Sequence, residues 1–95
     1  LEHRLVLLIS PIELGNDVWQ DKYDPQFDAG SPAVSRNLKY TFAKVARKHG
    51  TDILAASDHA KPSSIDCEHL DENGHNALAR AVEDKILSIY GRAAS

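Results

Sequence analysis

The chain has 95 residues, of which 42% are hydrophobic and 26% charged, with five glycines and four prolines scattered along it. These values are typical of a folded protein, and the length allows one small domain with a modest core. The 14 acidic and 11 basic residues give a net charge of -3 without a basic stripe, which argues against a nucleic-acid partner. The longest apolar run, at residues 5–9, is far shorter than the roughly 20 residues that a membrane span requires.

The single cysteine, Cys67, excludes an internal disulfide framework. A lone thiol slightly favours a reducing compartment such as the cytoplasm, but it also occurs in exported proteins, so the compartment stays undetermined. The sequence begins at Leu1 and enters an apolar run without a signal-peptide pattern. We interpret residues 1–95 as a segment from the interior of a longer protein.

The first predicted element is a strand at residues 4–10. The run RLVLLIS is too short for a helix, is bounded by Pro11, and is typical of a strand buried on both faces of a parallel sheet. Residues 12–30 then lose this pattern, and their Gly, Asn, Asp and Pro predict a long loop with at most a short helical turn. Its aromatic residues, Trp19, Tyr23 and Phe27, indicate that the loop packs against the rest of the fold or lines a pocket or subunit contact.

A helix is predicted to begin at Ser31, with the Ser31 hydroxyl as N-cap and Pro32 at the first helical position. It should end at Gly50, after Lys48 and His49. Its apolar positions recur at spacings of three and four, which is the period of a helix with one buried face. These positions are Val34, Leu38, Phe42 and Val45.

A second short buried strand is predicted at residues 52–57, followed by a polar loop and a last helix from Glu72 to about Tyr90. Asp71 is the natural N-cap of that helix. Its apolar face is formed by Leu78, Val82, Ile86 and Ile89. The order of elements describes a β-α-β unit plus a terminal helix, which predicts an α/β fold with a parallel sheet covered on both faces. Two strands cannot complete such a sheet, so we expect further strands from outside this sequence.

Ligands of open parallel sheets bind at the carboxyl ends of the strands, which here means the loops after Ser10 and Ser57. The second loop holds the densest polar cluster, and in it Asp66 precedes His69 by three residues. A carboxylate at this spacing can bind the imidazole Nδ1–H and fix the ring, leaving Nε2 to act as a general base. Spacing alone is weak support, because a surface ion pair or a helix cap has the same pattern.

The residues around this pair resemble the last conserved block of the SGNH (GDSL-type) hydrolases, which has the form D-x-x-H-L-D-x-x-G/A-H-x-x-L. The matching run is SIDCEHLDENGHNALA at residues 64–79, and residues 6–11, VLLISP, resemble the strand and turn before the family's penultimate helix. The spacing of strand, helix, strand, loop and D-x-x-H agrees over nearly the whole chain. Bacterial arylesterases and short-chain acyl esterases are the most similar members.

The resemblance implies the C-terminal part of a flavodoxin-like three-layer α/β/α sandwich, and a serine hydrolase that cleaves carboxylic esters. In the family, the Asp and His of this block complete a Ser-His-Asp triad, so Asp66 and His69 take those roles. The family's serine and oxyanion donors lie in N-terminal blocks that this sequence lacks, so the chain alone should be inactive. Its implied partners are a small-molecule ester and the N-terminal half of the same enzyme or a companion chain. No cofactor is implied.

Three alternatives follow from the same residues. A metal site could be sought among ligand types within residues 58–75, but their spacing fits no standard zinc pattern, so we predict no metal. Those residues are Asp58, His59, Asp66, Cys67, His69 and His75. Cys67 as a nucleophile is disfavoured because a residue two positions from His69 rarely aligns with it. The third alternative is a non-catalytic interaction module whose apolar helix faces dock on a partner or on a second copy of the chain.

Overall fold

The computed structural model describes residues 5–94 and has an α/β architecture. Strand β1 covers Leu7–Ser10, helix α1 covers Ser31–His49, strand β2 covers Asp52–Ala55, a 3-10 helix covers Ala56–Asp58, and helix α2 covers Glu72–Ala93. The two strands form a parallel sheet, and α1 connects them and packs on both. The predicted fold class is therefore confirmed.

The pairing register runs from Leu7 opposite Asp52 to Ser10 opposite Ala55. The predicted strand start at Arg4 lies outside the described residues, and β1 itself begins only at Leu7. The second strand was predicted to reach Ser57, and this is wrong. It ends at Ala55, because the backbone turns there into the 3-10 helix and can no longer pair with β1.

The prediction that β1 is buried on both faces is also wrong for the chain as the structure describes it. Ser10 is fully buried, whereas Ile9 on the opposite face is 40% exposed. Ile9 pairs with Leu54, which is buried. The difference arises because α2 packs mainly against β2, so the described chain leaves this face of β1 partly uncovered.

Helix α1 begins one residue earlier than its predicted cap implies. Gly30 is the N-cap and Ser31 is already helical, with no side-chain cap hydrogen bond. The Ser31 hydroxyl instead accepts a hydrogen bond from the Asp28 N–H at 3.1 Å, so it is engaged with the loop rather than with the helix. The predicted end is confirmed: Gly50 has a left-handed φ of 66°, which glycine adopts without steric cost.

The loop between β1 and α1 consists of successive turns without a helix. Its fully buried residue is Val18, while the neighbouring Trp19 is 37% exposed. Tyr23 and Phe27 are half-buried, as the prediction of a packed loop requires. Phe27 lines a shallow apolar depression with Val34 and Leu38 of α1, so the loop folds back over its own domain.

Asp71 is the N-cap of α2, as predicted: its Oδ1 accepts a hydrogen bond from the Gly74 N–H at 2.7 Å. The helix extends to Ala93, three residues beyond the predicted end at Tyr90. Of its apolar face, Ile89 is buried and Ile86 is 39% exposed. None of the helices within residues 5–94 is long and apolar enough to cross a membrane.

The Asp71 cap yields a stability prediction. We expect Asp71→Ala to lower the free energy of unfolding by about 1 kcal/mol, because it removes the acceptor of the Gly74 N–H at the start of α2. Urea denaturation followed by circular dichroism measures this. Asp21→Ala is the matched control, since Asp21 is exposed and far from a helix start. Equal stability of the two variants would contradict the cap.

Candidate active site

The loops that follow the two strands meet at the carboxyl edge of the sheet. The N–H of Gly15, in the loop after β1, donates a hydrogen bond of 2.8 Å to the carbonyl oxygen of Cys67, in the loop after β2. Parallel pairing causes this meeting, because it places the ends of both strands at the same edge. The predicted site residues, Asp66 and His69, flank Cys67 at this point.

The backbone around the pair forms a tight, internally bonded turn. The N–H of Cys67 donates to the carbonyl of Ser63 at 2.8 Å, and the N–H of Ser63 donates to the carbonyl of His69 at 2.7 Å. The Ser63 hydroxyl also accepts from the N–H of Ile65 at 3.1 Å. Ser63 is therefore a turn residue, as the sequence analysis predicted. We call residues 63–69 the histidine turn.

The structure brings the Asp66 and His69 side chains together. Asp66 Oδ2 lies 2.6 Å from His69 Nδ1. The other carboxylate oxygen, Oδ1, accepts hydrogen bonds from the backbone N–H groups of Glu68 at 3.0 Å and His69 at 2.9 Å. One oxygen thus fixes the carboxylate to the backbone, and the other orients the imidazole.

Hydrogen bonding shifts the pKa values of both groups. The N–H donors of His69 and Glu68, and then the His69 side chain, lower the pKa of Asp66 to about 2. The hydrogen bond and the charge of Asp66 raise the pKa of His69 above its ordinary 6.5. Asp66 thus contributes stability above pH 3.8 that is lost as the pH falls through about 2. Protonated His69 contributes stability below pH 6.5 that is lost as the pH rises through its raised pKa.

This arrangement leaves His69 able to exchange a proton with an external group. Its side chain is 75% exposed, and because Nδ1 is held by Asp66, Nε2 is the nitrogen available for proton transfer. Asp66 is less exposed, at 39%. A carboxylate that orients a histidine in this way is the arrangement found in Ser-His-Asp triads, where the histidine is the general base.

Among the described residues, Asp58, His59 and His75 form no hydrogen bond with the side chains of this pair. Asp58 forms an ion pair of 3.1 Å with Lys39 of α1. His59 and His75 are exposed. Within residues 5–94, no group of three or more His, Cys, Asp or Glu side chains could hold a metal ion.

Two serines near the carboxyl edge bury their hydroxyl groups. Ser10 Oγ and Ser57 Oγ have no hydrogen-bond partner among the described residues. Ser10 is the last residue of β1, and Ser57 lies in the 3-10 helix after β2. Neither is among the hydrogen-bond partners of His69, so the described chain does not pair a serine with the candidate base.

Two neighbours of the histidine turn were not found from the sequence. Gly15 binds Cys67 through its backbone, and the Asp24 carboxylate lies near the Glu68 side chain. Burial, followed by the charge of Asp24, raises the pKa of Glu68. The only signal in the sequence was that Gly15 and Asp24 lie in a loop at the predicted carboxyl edge.

Neither a protein-family model nor a curated protein matches the chain. Solved structures do match it. One is 32% identical with a TM-score of 0.85, over 92% of this chain and 39% of its own length. A carbohydrate acetylesterase from Sinorhizobium meliloti is 25% identical with a TM-score of 0.75, over 90% of this chain and 39% of its own. The chain has the fold of part of an esterase.

A third solved structure, a candidate arylesterase from Agrobacterium tumefaciens, is 22% identical with a TM-score of 0.75, and this likeness shows the fold alone. The esterase fold agrees with the resemblance to SGNH hydrolases inferred from the sequence. The chain spans 39% of the length of each of these three structures. More than half of each of these solved chains therefore has no counterpart in these 95 residues.

The Asp66–His69 hydrogen bond makes a spectroscopic prediction. We expect Asp66→Asn to lower the pKa of His69 toward 6.5, because it removes the carboxylate charge that favours the imidazolium. Titration of the His69 ring protons by nuclear magnetic resonance gives this pKa directly. Asp58→Asn is the matched control: it removes a carboxylate that pairs with Lys39, and it should leave the pKa of His69 unchanged. A His69 pKa unaffected by Asp66→Asn would refute the interaction.

Proposed function

We propose that the chain is the C-terminal segment of a single SGNH (GDSL-type) serine esterase domain. In this proposal His69 is the general base, and Asp66 orients it and stabilises its protonated form. The 2.6 Å contact between Asp66 Oδ2 and His69 Nδ1, on a turn at the carboxyl edge of a parallel sheet, is the observation that carries the proposal. The esterase neighbours support the same reaction class.

The reaction proceeds in two steps. His69 Nε2 takes the proton of a serine hydroxyl while that oxygen bonds to the carbonyl carbon of the ester, and the carboxylate of Asp66 stabilises the imidazolium formed. The imidazolium then gives its proton to the departing alcohol oxygen, which leaves an acyl-enzyme. A water molecule, deprotonated by the same nitrogen, then bonds to the acyl carbon. The bond from that carbon to the serine oxygen breaks, and the imidazolium gives its proton to the serine oxygen, which releases the carboxylic acid and restores the serine.

The nucleophile and the oxyanion donors come from the N-terminal part of the domain or from a companion chain. Three serines near the carboxyl edge occupy other roles: Ser10 ends β1, Ser57 lies in the 3-10 helix, and Ser63 closes the histidine turn. A base without a nucleophile and without donors for the oxyanion has no substrate to act on. We therefore expect the 95-residue chain alone to be inactive.

Apolar surface on α2 and β1 supports a covering segment from the rest of the domain. Leu87 and Tyr90 of α2 are 62% and 61% exposed, and Leu5 and Val6, just before β1, are about half exposed. Ile86, Ile89 and Tyr90 line a shallow groove with these two residues. Apolar surface of this extent is costly in water, and additional strands and helices would bury it. A second copy of the chain could bury the same surface, which makes a homo-oligomer the competing arrangement.

The substrate class that we propose is a small-molecule ester with a short acyl group. The solved relatives include a carbohydrate acetylesterase, whose acyl group is acetyl. No cofactor takes part in this mechanism.

Substitutions at the pair test its role. In the complete protein, we expect His69→Ala to lower kcat for a short-chain aryl ester by about 10⁴-fold or more, because no group then accepts the serine proton. Asp66→Asn should cost less, about 10²-fold to 10⁴-fold, because the base remains but is misoriented. His59→Ala is the matched control and should retain full activity. A His69→Ala variant with unchanged kcat would refute the assignment.

The pH profile gives an independent test. The base must be neutral to accept a proton, so kcat/KM should rise with pH through the pKa of His69, which lies above 6.5. In Asp66→Asn the same limb should move to lower pH, since the raised pKa depends on that carboxylate. Initial rates measured between about pH 5 and pH 9 define the limb. A wild-type limb that does not coincide with the His69 titration would count against His69 as the base.

The competing function is a non-catalytic module that uses the apolar helix surface to dock on a partner. It keeps the fold but needs no activated serine. A complete protein that lacks esterase activity toward short-chain esters, and that retains its assembly after His69→Ala, would favour this second function.

A further inference from the structure

We infer that Gly15 is a positioning residue for the base, holding the histidine turn in the geometry that the Asp66–His69 pair requires; this inference rests on the function proposed above. Gly15 does not contact the reacting atoms. It acts through Cys67, which separates Asp66 from Glu68 and His69 in the sequence.

The contact between Gly15 and Cys67 is too close for any other residue. A Cβ placed on Gly15 would lie 2.7 Å from Cys67 Cβ, 3.0 Å from Cys67 Sγ and 3.2 Å from Cys67 Cα. Carbon atoms do not approach to 2.7 Å, so a side chain at residue 15 forces the two backbones apart. The Gly15 N–H at the same place donates to the Cys67 carbonyl at 2.8 Å, so both the close packing and the hydrogen bond would be lost together.

Cys67 cannot relieve that clash by changing its rotamer. Its Cβ is fixed by the backbone, and its φ of 61° is a left-handed value that few residues other than glycine adopt. Its N–H is also held by the Ser63 carbonyl at 2.8 Å. Displacement of Cys67 therefore moves the backbone of the histidine turn, including the N–H groups of Glu68 and His69 that hold Asp66 Oδ1.

Gly15 can position the histidine turn because the residues on either side of it, Leu14 and Asn16, are hydrogen-bonded to α1. The Leu14 N–H donates to Ser35 Oγ at 2.9 Å, and that buried hydroxyl donates to the Pro32 carbonyl at 2.7 Å. On the other side of Gly15, Asn16 Oδ1 accepts from Arg36 Nη1 at 2.9 Å. Residues 14–16 thus connect the first turns of α1 to the histidine turn.

This connection matters because the histidine turn is otherwise bonded mainly to itself. Among the described residues, its backbone hydrogen bonds other than that from Gly15 join positions within residues 63–69. The charged groups that face His69 are Asp66 and Glu68, and Glu68 faces Asp24 of the loop after β1. A base held on an exposed turn gains accuracy when a rigid helix supports the turn, and a misplacement of about 1 Å can cost about 10²-fold in rate.

The test compares Gly15→Ala with Gly91→Ala in the complete protein. Apart from its chain neighbours and the adjacent backbone of α2, a Cβ on Gly91 meets no described atom within 4 Å, so this variant controls for adding a methyl group. We expect Gly15→Ala to lower kcat by about 10-fold to 10²-fold with KM changed less than about twofold, because the base is misplaced while ester binding is not. The pKa of His69, followed by nuclear magnetic resonance, should fall toward 6.5, and Gly91→Ala should match the wild type in both measurements.

A second substitution shows whether the loss arises from the contact with Cys67. Cys67→Gly removes the Cβ and Sγ atoms that meet the new methyl group, and glycine adopts the left-handed φ of this position freely. The double variant Gly15→Ala with Cys67→Gly should therefore recover most of kcat and the raised pKa of His69, including where Gly15→Ala alone fails to fold. A double variant no better than Gly15→Ala overturns the inference, as does a Gly15→Ala variant equal to Gly91→Ala.

The two readouts separate this inference from the proposed function. If the wild-type protein has no esterase activity, the proposed function is refuted. In that protein, a lower pKa of His69 in Gly15→Ala, restored by Cys67→Gly, would still establish that Gly15 controls the geometry of the pair. If the wild-type enzyme is active and Gly15→Ala changes neither the pKa of His69 nor kcat, the proposed function stands and the role of Gly15 is refuted.

Discussion

The chemistry proposed for this chain depends on how one carboxylate is held. Asp66 binds the backbone of its own turn through Oδ1 and the imidazole of His69 through Oδ2. These contacts keep the pKa of Asp66 at about 2, so it stays ionised at neutral pH and keeps the pKa of His69 raised. Because both residues are substantially exposed, the pair adds little to stability, and its value lies in fixing the orientation of the histidine.

The fold determines where the Asp66–His69 pair lies, whereas the chemistry of the pair comes from its own side chains. Parallel pairing of β1 with β2 brings the loop after each strand to one edge of the sheet, where Gly15 meets Cys67. The first turns of α1 hold one loop through Ser35 and Arg36, and the Asp71 cap begins α2 directly after the other. The histidine turn therefore lies between a loop that is hydrogen-bonded to the first turns of α1 and the capped start of α2.

Local sequence signals predicted the parts of the structure that local interactions determine. Gly50 ended α1 and Asp71 began α2 as expected, because a left-handed cap and a carboxylate cap act within a few residues. The juxtaposition of Asp66 and His69 was also predictable, since they lie three positions apart on one turn. The first cap was missed because Ser31 binds Asp28 of the loop instead.

Contacts between distant segments could not be predicted in the same way. Nothing in the sequence near Gly15 indicates that it packs against Cys67, 52 positions later in the numbering. Val18 is the buried anchor of its loop although the adjacent Trp19 is the larger apolar residue, because burial depends on which side of the turn faces the domain. The partial exposure of Ile9 also escaped prediction, since its run of apolar residues is typical of a strand covered on both faces.

The central claim is that His69 activates a serine that lies outside these 95 residues. The most direct measurement is the mass spectrum of the complete protein after reaction with a fluorophosphonate, which labels an activated serine covalently, compared with the same reaction of His69→Ala. The account predicts one adduct in the wild type, mapped by peptide sequencing to a serine outside this segment, and a labelling rate at least about 10²-fold lower in the variant. An adduct on Ser10, Ser57, Ser63 or Ser64, or equal labelling of both proteins, would contradict it.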